Sequence, residues 1–373
     1  MNRRSTEPYL SQYFHRKGRQ LGLPIAGNFE LTARCNFNCP MCYVHLSNEE
    51  VCARGGELTA KQWLKIAEQA RDKGMIFALL TGGEPLVRKD FFEIYDGMRN
   101  MGLIVSINSN GSMLQGKILE RFLETPPFRF NISLYGGCDE TYRKMCGLPV
   151  YSQVKENIRA LRQAGVDVSL NLSITPYNRD DLEKIYADAV ELNVNVKGSS
   201  YMYPPIRVNG GEYGCGNRLS AEESAVYSVA WDCLRFTPEQ FDVRARNMAR
   251  LINEDQDGCP VEEGEGVRCR AGGTSFWITW DGKMTPCGMM TEPVVYPLEV
   301  GFEAAWEELR GRVANIRTPA KCVSCDHREI CGVCAAVCLS ETGRFDAVPE
   351  YVCRRAEEIV KQTQLAWEER NRK

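Results

Sequence analysis

Between residue 28 and about residue 203, short apolar runs rich in β-branched residues alternate with amphipathic stretches, and the unit repeats six times. The runs are Phe29 to Ala33, Ile76 to Leu80, Leu103 to Asn108, Phe128 to Leu134, Val166 to Ile174 and Val194 to Tyr201. Helical periodicity falls between them at 59–73, 90–101, 114–124, 152–164 and 179–192. Thr59 with Gln62 three residues on forms a capping-box pattern, and Gly74 is placed to stop that helix. Alternating strands and helices of this kind predict βαβ units around a parallel sheet. Six units are too few to close an eight-stranded barrel, so the expectation is an α/β fold built on an open, partial (β/α)6 barrel. Its active site should lie in the loops at the C-terminal ends of the strands.

After Pro204-Pro205 the alternation stops. Residues 206–258 read as a bridge, with a Gly-rich loop from Asn209 to Asn217 and one or two helices. From Cys259 onward nine cysteines crowd the last 115 residues, and Ser275 to Trp280, Asp281-Gly282 and Lys283 to Thr285 read as a hairpin with a tight turn. The expected organisation is an N-terminal basic arm (1–24), the partial barrel (25–205), the bridge (206–258) and a small cysteine-rich domain with a β-hairpin and helices (259–373). The arm (Arg3, Arg4, Arg16, Lys17, Arg19) and a terminal helix over 354–373, with Glu357, Glu358, Lys361, Glu368 and Glu369, both read as solvated.

Composition narrows the function. With 43% apolar and 25% charged residues, the 373-residue chain has the balance of a soluble globular protein. No stretch resembles a signal-peptide core, and none approaches the roughly 18 uninterrupted apolar residues of a membrane span, so a cytoplasmic protein without a membrane partner is expected. In that reducing compartment, 17 cysteines point to metal binding or thiol chemistry rather than disulfides. The 46 basic residues nearly balance 49 acidic ones, which gives no field for nucleic acid, and only three histidines are available for acid–base or zinc chemistry.

The densest chemistry follows the first predicted strand, where Cys35-x3-Cys39-x2-Cys42 puts three thiols in one loop. An iron–sulfur cubane takes four ligands, so three cysteines leave one iron open to another molecule. A zinc knuckle completed by His45 is the alternative, although zinc loops usually space their first cysteines by two residues. Tyr43 follows the last cysteine, and 38 residues separate Cys42 from Thr81-Gly82-Gly83-Glu84-Pro85 after the second strand. Asn108-Ser109-Asn110-Gly111 follows the third strand. Ser133-Leu134-Tyr135-Gly136, with Tyr142-Arg143 and Cys146-Gly147, follows the fourth.

Together these motifs resemble the radical S-adenosylmethionine (radical SAM) enzymes. The resemblance implies that Cys35, Cys39 and Cys42 hold a [4Fe–4S] cluster whose open iron binds S-adenosylmethionine, and that reductive cleavage yields a 5′-deoxyadenosyl radical that abstracts hydrogen. It also implies cofactor-binding roles for Tyr43, Thr81, Gly82, Gly83, Glu84, Pro85, Asn108, Ser109, Ser133, Arg143 and Asn171. In that reading Gly82 and Gly83 let the backbone approach the methionine moiety, Glu84 accepts from its ammonium, Ser133 or Asn171 bonds the ribose, and Arg143 pairs with the carboxylate.

Cys269, Gly282-x4-Cys287, the block Cys322-x2-Cys325-x5-Cys331-x2-Cys334-x3-Cys338 and the distal Cys353 resemble the SPASM extension of radical SAM maturases. That resemblance implies two auxiliary [4Fe–4S] clusters, one on Cys322, Cys325, Cys331 and Cys353, the other on Cys259, Cys269, Cys287 and Cys334. The family usually has three residues between the third and fourth block cysteines, whereas Cys331 is followed by Cys334 after two and by Cys338 after six, so Cys338 is an alternative to Cys334, and spacing alone also admits a structural zinc site. Among the remaining cysteines, Cys138, Cys146 and Cys215 fall in loops near the expected chamber and are candidate hydrogen donors to a carbon radical. Tyr135, Glu212 and Tyr213 are candidates to border it.

SPASM-bearing enzymes mostly modify peptides, so the expected reaction is peptide maturation by hydrogen abstraction, giving a cross-link, a thioether or an epimer. Gly288 stands where the sulfatase-maturing subgroup has Asp, which argues against formylglycine formation. Only 34 residues precede Cys35, so a separate leader-binding protein or direct binding by barrel and bridge is expected, with flavodoxin or ferredoxin as electron donor. The alternatives are a dehydrogenase acting on a small-molecule alcohol and a non-catalytic iron–sulfur electron carrier.

Overall fold

The computed structural model describes residues 9–205, 217–253 and 263–372. Six parallel strands appear where the apolar runs predict them: β1 (Ala26–Glu30), β2 (Phe77–Thr81), β3 (Ile104–Ser109), β4 (Arg129–Ser133), β5 (Val168–Ser173) and β6 (Asn195–Ser199). The hairpin strands are β7 (Ser275–Ile278) and β8 (Met284–Thr285). The helices are α1 (Tyr9–Leu21), α2 (Asn48–Ala53), α3 (Ala60–Asp72), α4 (Phe91–Asn100), α5 (Gly116–Glu124), α6 (Asp139–Cys146), α7 (Tyr151–Gln163) and α8 (Leu182–Glu191). They continue with α9 (Ala221–Arg235), α10 (Pro238–Asn253), α11 (Pro297–Val300), α12 (Phe302–Ala314), α13 (Ala320–Val323), α14 (Arg328–Cys331), α15 (Ala335–Thr342) and α16 (Glu350–Asn371). Thr59 caps α3 with Gln62 in a reciprocal capping box, satisfying two N–H groups that the helix leaves without partners.

The sheet order is β6-β5-β4-β3-β2-β1-β7-β8, an open sheet with β6 and β8 at its edges. Its register explains how one sheet serves both a core and a site. Phe29, Leu80, Ile107, Phe130 and Val168 stand side by side across five strands and form an apolar row. On the opposite face, one residue along, Asn108, Asn131 and Ser169 stand in a polar row. Strand residues alternate between faces, so the helices cover the first row and the second faces the interior of the open barrel.

Four features depart from the sequence expectation. The cysteine-rich region is not a detached unit, because β7 pairs in parallel with β1 from Ala26↔Ser275 to Phe29↔Ile278. Phe276 packs edge-on against Phe29, at 5.9 Å between ring centroids, and against Phe302 of α12 at 5.0 Å. Residues 9–21 are a docked helix rather than a solvated arm: buried His15 bonds Thr274 Oγ1 through Nδ1 at 2.8 Å, and Arg19 donates to the Cys269 carbonyl. The terminal helix α16 buries Val352, Ala356, Ile359, Val360 and Thr363 in its packing with α9 and α10, together with Arg355, which donates to Ser224 Oγ at 2.8 Å and Ser200 Oγ at 3.1 Å. The stretch after β4 forms α6, whose polar sequence hides a buried face of Thr141, Tyr142, Met145 and Cys146. Among the described residues, no helix is long and apolar enough to cross a membrane.

Candidate functional site

The loop after β1 is held against the loop after β2 by its own backbone. Leu31 N–H donates to Thr81 O, Gly83 N–H to Thr32 O, both at 2.8 Å, and Glu84 N–H to Arg34 O at 3.0 Å. This contact is so close that glycine is required on the β2 side. A Cβ on Gly82, whose φ is +149°, would stand 2.5 Å from Thr32 O, and one on Gly83 would come closer still to Arg34 O. The two glycines therefore serve the fit between two loops, a reason that the motif by itself does not give.

Arg34, just ahead of the first cysteine, pairs with Glu57 at 2.7 Å. The buried Arg88 donates to the Leu31 and Leu58 carbonyls, both at 2.9 Å, and pairs with Glu57 and Asp90. Within the cysteine loop, Phe37 N–H donates to Cys35 Sγ and His45 N–H to Cys42 Sγ, each at 3.3 Å. Asn38 N–H donates to the Cys146 carbonyl at 3.1 Å, which fastens the loop to the end of α6.

Cys35, Cys39 and Cys42 line one cavity of about 340 Å³ at the C-terminal ends of the strands. Around it stand Tyr43, Thr81, Gly82, Gly83, Asn108, Ser109, Ser133 and Asn171, eight of the cofactor candidates named from sequence. Its polar wall is a ladder across strands: Asn108 Nδ2 donates to Thr81 Oγ1 at 3.3 Å, and Asn131 Nδ2 to Asn108 Oδ1 at 2.9 Å. Burial pushes the Cys35 thiol up to about 12, and the hydrogen bond with Cys146, together with burial, raises the Cys39 thiol well above its ordinary value. Metal ligation reverses that balance by supplying positive charge.

Three candidates stand elsewhere. Glu84 is fully buried beneath the cavity, where Oε2 accepts from Asn110 N–H at 2.7 Å, Oε1 accepts from Leu86 N–H at 3.1 Å, and both accept from Ser109 Oγ. Desolvation raises its pKa to about 7 despite those donors. Pro85 begins a buried turn beside it, and Arg143 lies on the exposed face of α6. Of the proposed hydrogen donors, Cys138 is exposed at the start of α6, and Cys146 is fully buried and donates to the Tyr142 carbonyl at 2.9 Å. Neither lines the cavity. Cys215, Cys259, Glu212 and Tyr213 lie outside the described residues.

Tyr135, named from sequence as a border residue, lines the cavity, and beside it stands a wall that the motifs do not reveal, made by Tyr201, Met202, Tyr203 and Met289. Tyr201 and Tyr203 follow β6, where the rule that sites form after strands points to them. Met289 comes from the cysteine-rich region: its side chain lines the cavity while its N–H donates to Cys287 Sγ at 3.5 Å. The Tyr203 phenol is held far above its usual pKa by burial, by the adjacent Cys334, Cys287 and Cys269 thiols and by its bond to Cys334.

A second group of thiols lies apart from these. Burial raises Cys322 to about 11, with Cys353, Cys331 and Cys325 adding to the effect, and Val333 N–H donates to Cys331 Sγ at 3.4 Å. Cys338 is fully buried on α15 and raised to about 12 by burial, with Cys322, Cys334 and Cys331 adding to it. Among the described residues, no three His, Cys, Asp or Glu side chains form a site for a single metal ion. Soft sulfur donors spaced along loops, four of them accepting backbone N–H bonds, suit iron–sulfur clusters, in which each iron takes its own thiolate.

Residues 29–189 match the sequence profile described as the Radical SAM superfamily. The chain is 26% identical over 335 residues to the AdoMet-dependent heme synthase of Methanosarcina barkeri, covering 85% of this chain and 93% of that protein. It is 25% identical over 324 residues to the protein of the same name from Oleidesulfovibrio alaskensis, covering 83% and 81%. In fold it resembles Streptococcus suis SuiB bound to precursor peptide SuiA, with a TM-score of 0.62 at 16% identity, covering 95% of this chain and 84% of that one. It also resembles anSMEcpe with bound AdoMet and Cp18Cys peptide, with a TM-score of 0.64 at 15% identity, covering 93% and 98%. With the profile running from β1 to α8 and the three-cysteine loop standing at the C-terminal ends of those strands, residues 29–189 form a radical SAM domain.

Proposed function

We propose that this radical SAM enzyme abstracts a hydrogen atom from a peptide, and that a [4Fe–4S] cluster on Cys35, Cys39 and Cys42 is accompanied by two auxiliary clusters. The observation that carries the reading is the shared wall. One cavity is lined both by the three-cysteine loop and by Tyr203 and Met289, which touch the Cys269, Cys287 and Cys334 group. When bound, the first cluster and S-adenosylmethionine supply the 5′-deoxyadenosyl radical.

The chain's own residues bind and orient. Thr81, Asn108, Ser133 and Asn171 offer donors and acceptors to the cofactor's amino, carboxylate and ribose groups. Glu84 and Arg88 fix the loops that carry those groups. Phe37, Tyr135 and Met41 give the cavity the apolar lining that keeps water from a carbon radical. Cys322, Cys325, Cys331 and Cys353 form the ligand set farther from the chamber. Cys269, Cys287 and Cys334 belong to the nearer one, with Tyr203 and Met289 as the partition, and Cys259 is its fourth ligand by its place in the sequence pattern. That proximity suits the passage of one electron between a substrate radical and the nearer cluster.

SuiB and anSMEcpe, whose folds the chain resembles, were each solved with a bound peptide, which supports a peptide substrate. A second reading has its own support: the sequence relatives at 25–26% identity are named AdoMet-dependent heme synthases, which favours a tetrapyrrole. The test is to incubate the reconstituted, dithionite-reduced enzyme and S-adenosylmethionine with a panel of cysteine-rich precursor peptides and, separately, with iron tetrapyrroles carrying carboxylate side chains. Peptide-stimulated 5′-deoxyadenosine release is expected, together with loss of two hydrogens from the peptide or uptake of α-deuterium from heavy water. Stimulation by the tetrapyrrole alone would overturn the peptide assignment, and the absence of S-adenosylmethionine cleavage would overturn the enzyme assignment.

A further inference from the structure

Asn110, at the turn after β3, lines the chamber and is only 5% exposed. Its side-chain oxygen accepts from Ser112 N–H at 3.0 Å and from Ser112 Oγ at 2.7 Å. A backbone N–H only donates, so this contact fixes which way the amide faces and turns its nitrogen toward the cysteine loop. There Nδ2 donates to Asn36 Oδ1 at 2.8 Å and to Cys35 Sγ at 3.8 Å. Asn36 Nδ2 in turn donates to Ser112 Oγ at 2.9 Å, closing a ring of three side chains with Asn110 at its centre. The Asn110 backbone N–H is held separately by Glu84, so main chain and side chain are both immobilised. No motif requirement asks for an amide here: the left-handed turn that follows needs only Gly111, whose φ is +78°.

We propose that Asn110 is a positioning residue that tunes the reduction of the cluster on Cys35 by donating an N–H···S hydrogen bond to that ligand. The proposal rests on the reading of Cys35 as a cluster ligand. A hydrogen bond to a thiolate withdraws charge from it, which favours the more negative, reduced state and raises the reduction potential. One electron enters from an external one-electron donor, dithionite in the test, and no bond breaks and no proton moves. The device suits this site because, among the described residues, the other donor to Cys35 is Phe37 N–H, and the thiol is partly buried, where each donor counts for more than it would in water.

The experiment is a dithionite redox titration of reconstituted enzyme, followed by the electron paramagnetic resonance of the reduced cluster, with iron content measured alongside. Two variants are compared with wild type. Asn110→Ala removes the donor, whereas Asn110→Asp keeps the shape and both Ser112 contacts but places an acceptor against sulfur. Removing a hydrogen bond to a charged group shifts the reduced-to-oxidised ratio at fixed potential about tenfold, or 59 mV for one electron, downward. The shift is expected in Asn110→Ala and should be larger in Asn110→Asp. An unchanged potential in an iron-replete variant overturns the proposal, and so does failure of both variants to hold iron, which would make Asn110 structural only. Wild-type iron content and S-adenosylmethionine cleavage, measured in the same series, test the cluster assignment separately.

Discussion

Replacing Glu84 by Gln separates two roles that the sequence motif leaves merged. If Glu84 contacted the cofactor's ammonium, the change would weaken S-adenosylmethionine binding and leave the fold alone. The structure predicts the reverse. Oε1 accepts from Leu86 N–H and Oε2 from Asn110 N–H, both of them groups that can only donate, and the carboxyl has no exposure. A glutamine has one acceptor oxygen, so in either orientation its NH2 faces one of these backbone donors. An unsatisfied buried donor costs about 1–3 kcal/mol, which is roughly a 5- to 150-fold faster opening of the affected amide. Native-state hydrogen exchange at Asn110 and Leu86 reads this directly, with thermal stability as a second measure. Glu84 also sets a pH dependence. Its pKa rises from 4.5 to about 7 on burial, so folding favours the neutral form. That contribution is complete below the unfolded value and is lost as pH climbs through 7, a difference of roughly 3 kcal/mol. The Gln variant should lack this slope. Unchanged exchange at both amides combined with a tenfold weaker S-adenosylmethionine affinity would refute the reasoning.

Three further outcomes are expected. Gly83→Ala drives a methyl into the Arg34 carbonyl and should displace the cysteine loop, so purified protein should lose iron from the first cluster while keeping its far-UV circular dichroism. Arg88→Met leaves the nearly buried Glu57 with Arg34 as its guanidinium partner and strips the Leu31 and Leu58 carbonyls of a donor. A buried acceptor left unsatisfied costs about 1–3 kcal/mol, so a fall in thermal midpoint of several degrees is expected. Cys334→Ala should remove one cluster's worth of iron and its spectroscopic signal, whereas Cys338→Ala, which alters a thiol packed inside α15, should leave iron content unchanged.

Local pattern carried most of the barrel. The six β/α units are legible because parallel strands and their covering helices satisfy their needs through short-range periodicity, and the Thr59 cap and Asn108-to-Gly111 turn are local in the same sense. The cysteine spacings show which thiols belong to one loop, and the rule that sites form after strands puts that loop beside Thr81, Gly82, Gly83, Ser133 and Asn171.

What local pattern cannot carry is the direction a side chain takes once the loops pack. Glu84 sits in a motif beside two cavity-lining glycines, yet its carboxylate turns inward, where it accepts from the Leu86 and Asn110 N–H groups. Charge runs at both termini read as solvated, but His15 and Val352 to Thr363 are buried on helix faces whose partners lie hundreds of residues away in α1's case, and over a hundred in α16's. The pairing of β7 with β1, which brings Met289 into the chamber with its N–H bonded to Cys287 Sγ, joins residues about 250 apart in sequence. Sequence by itself therefore determined the elements and the end of the sheet at which the three-cysteine loop stands. Tertiary structure decided which polar groups face the chamber and which are consumed in holding it, because that choice depends on long-range packing and on the need of every buried donor for an acceptor.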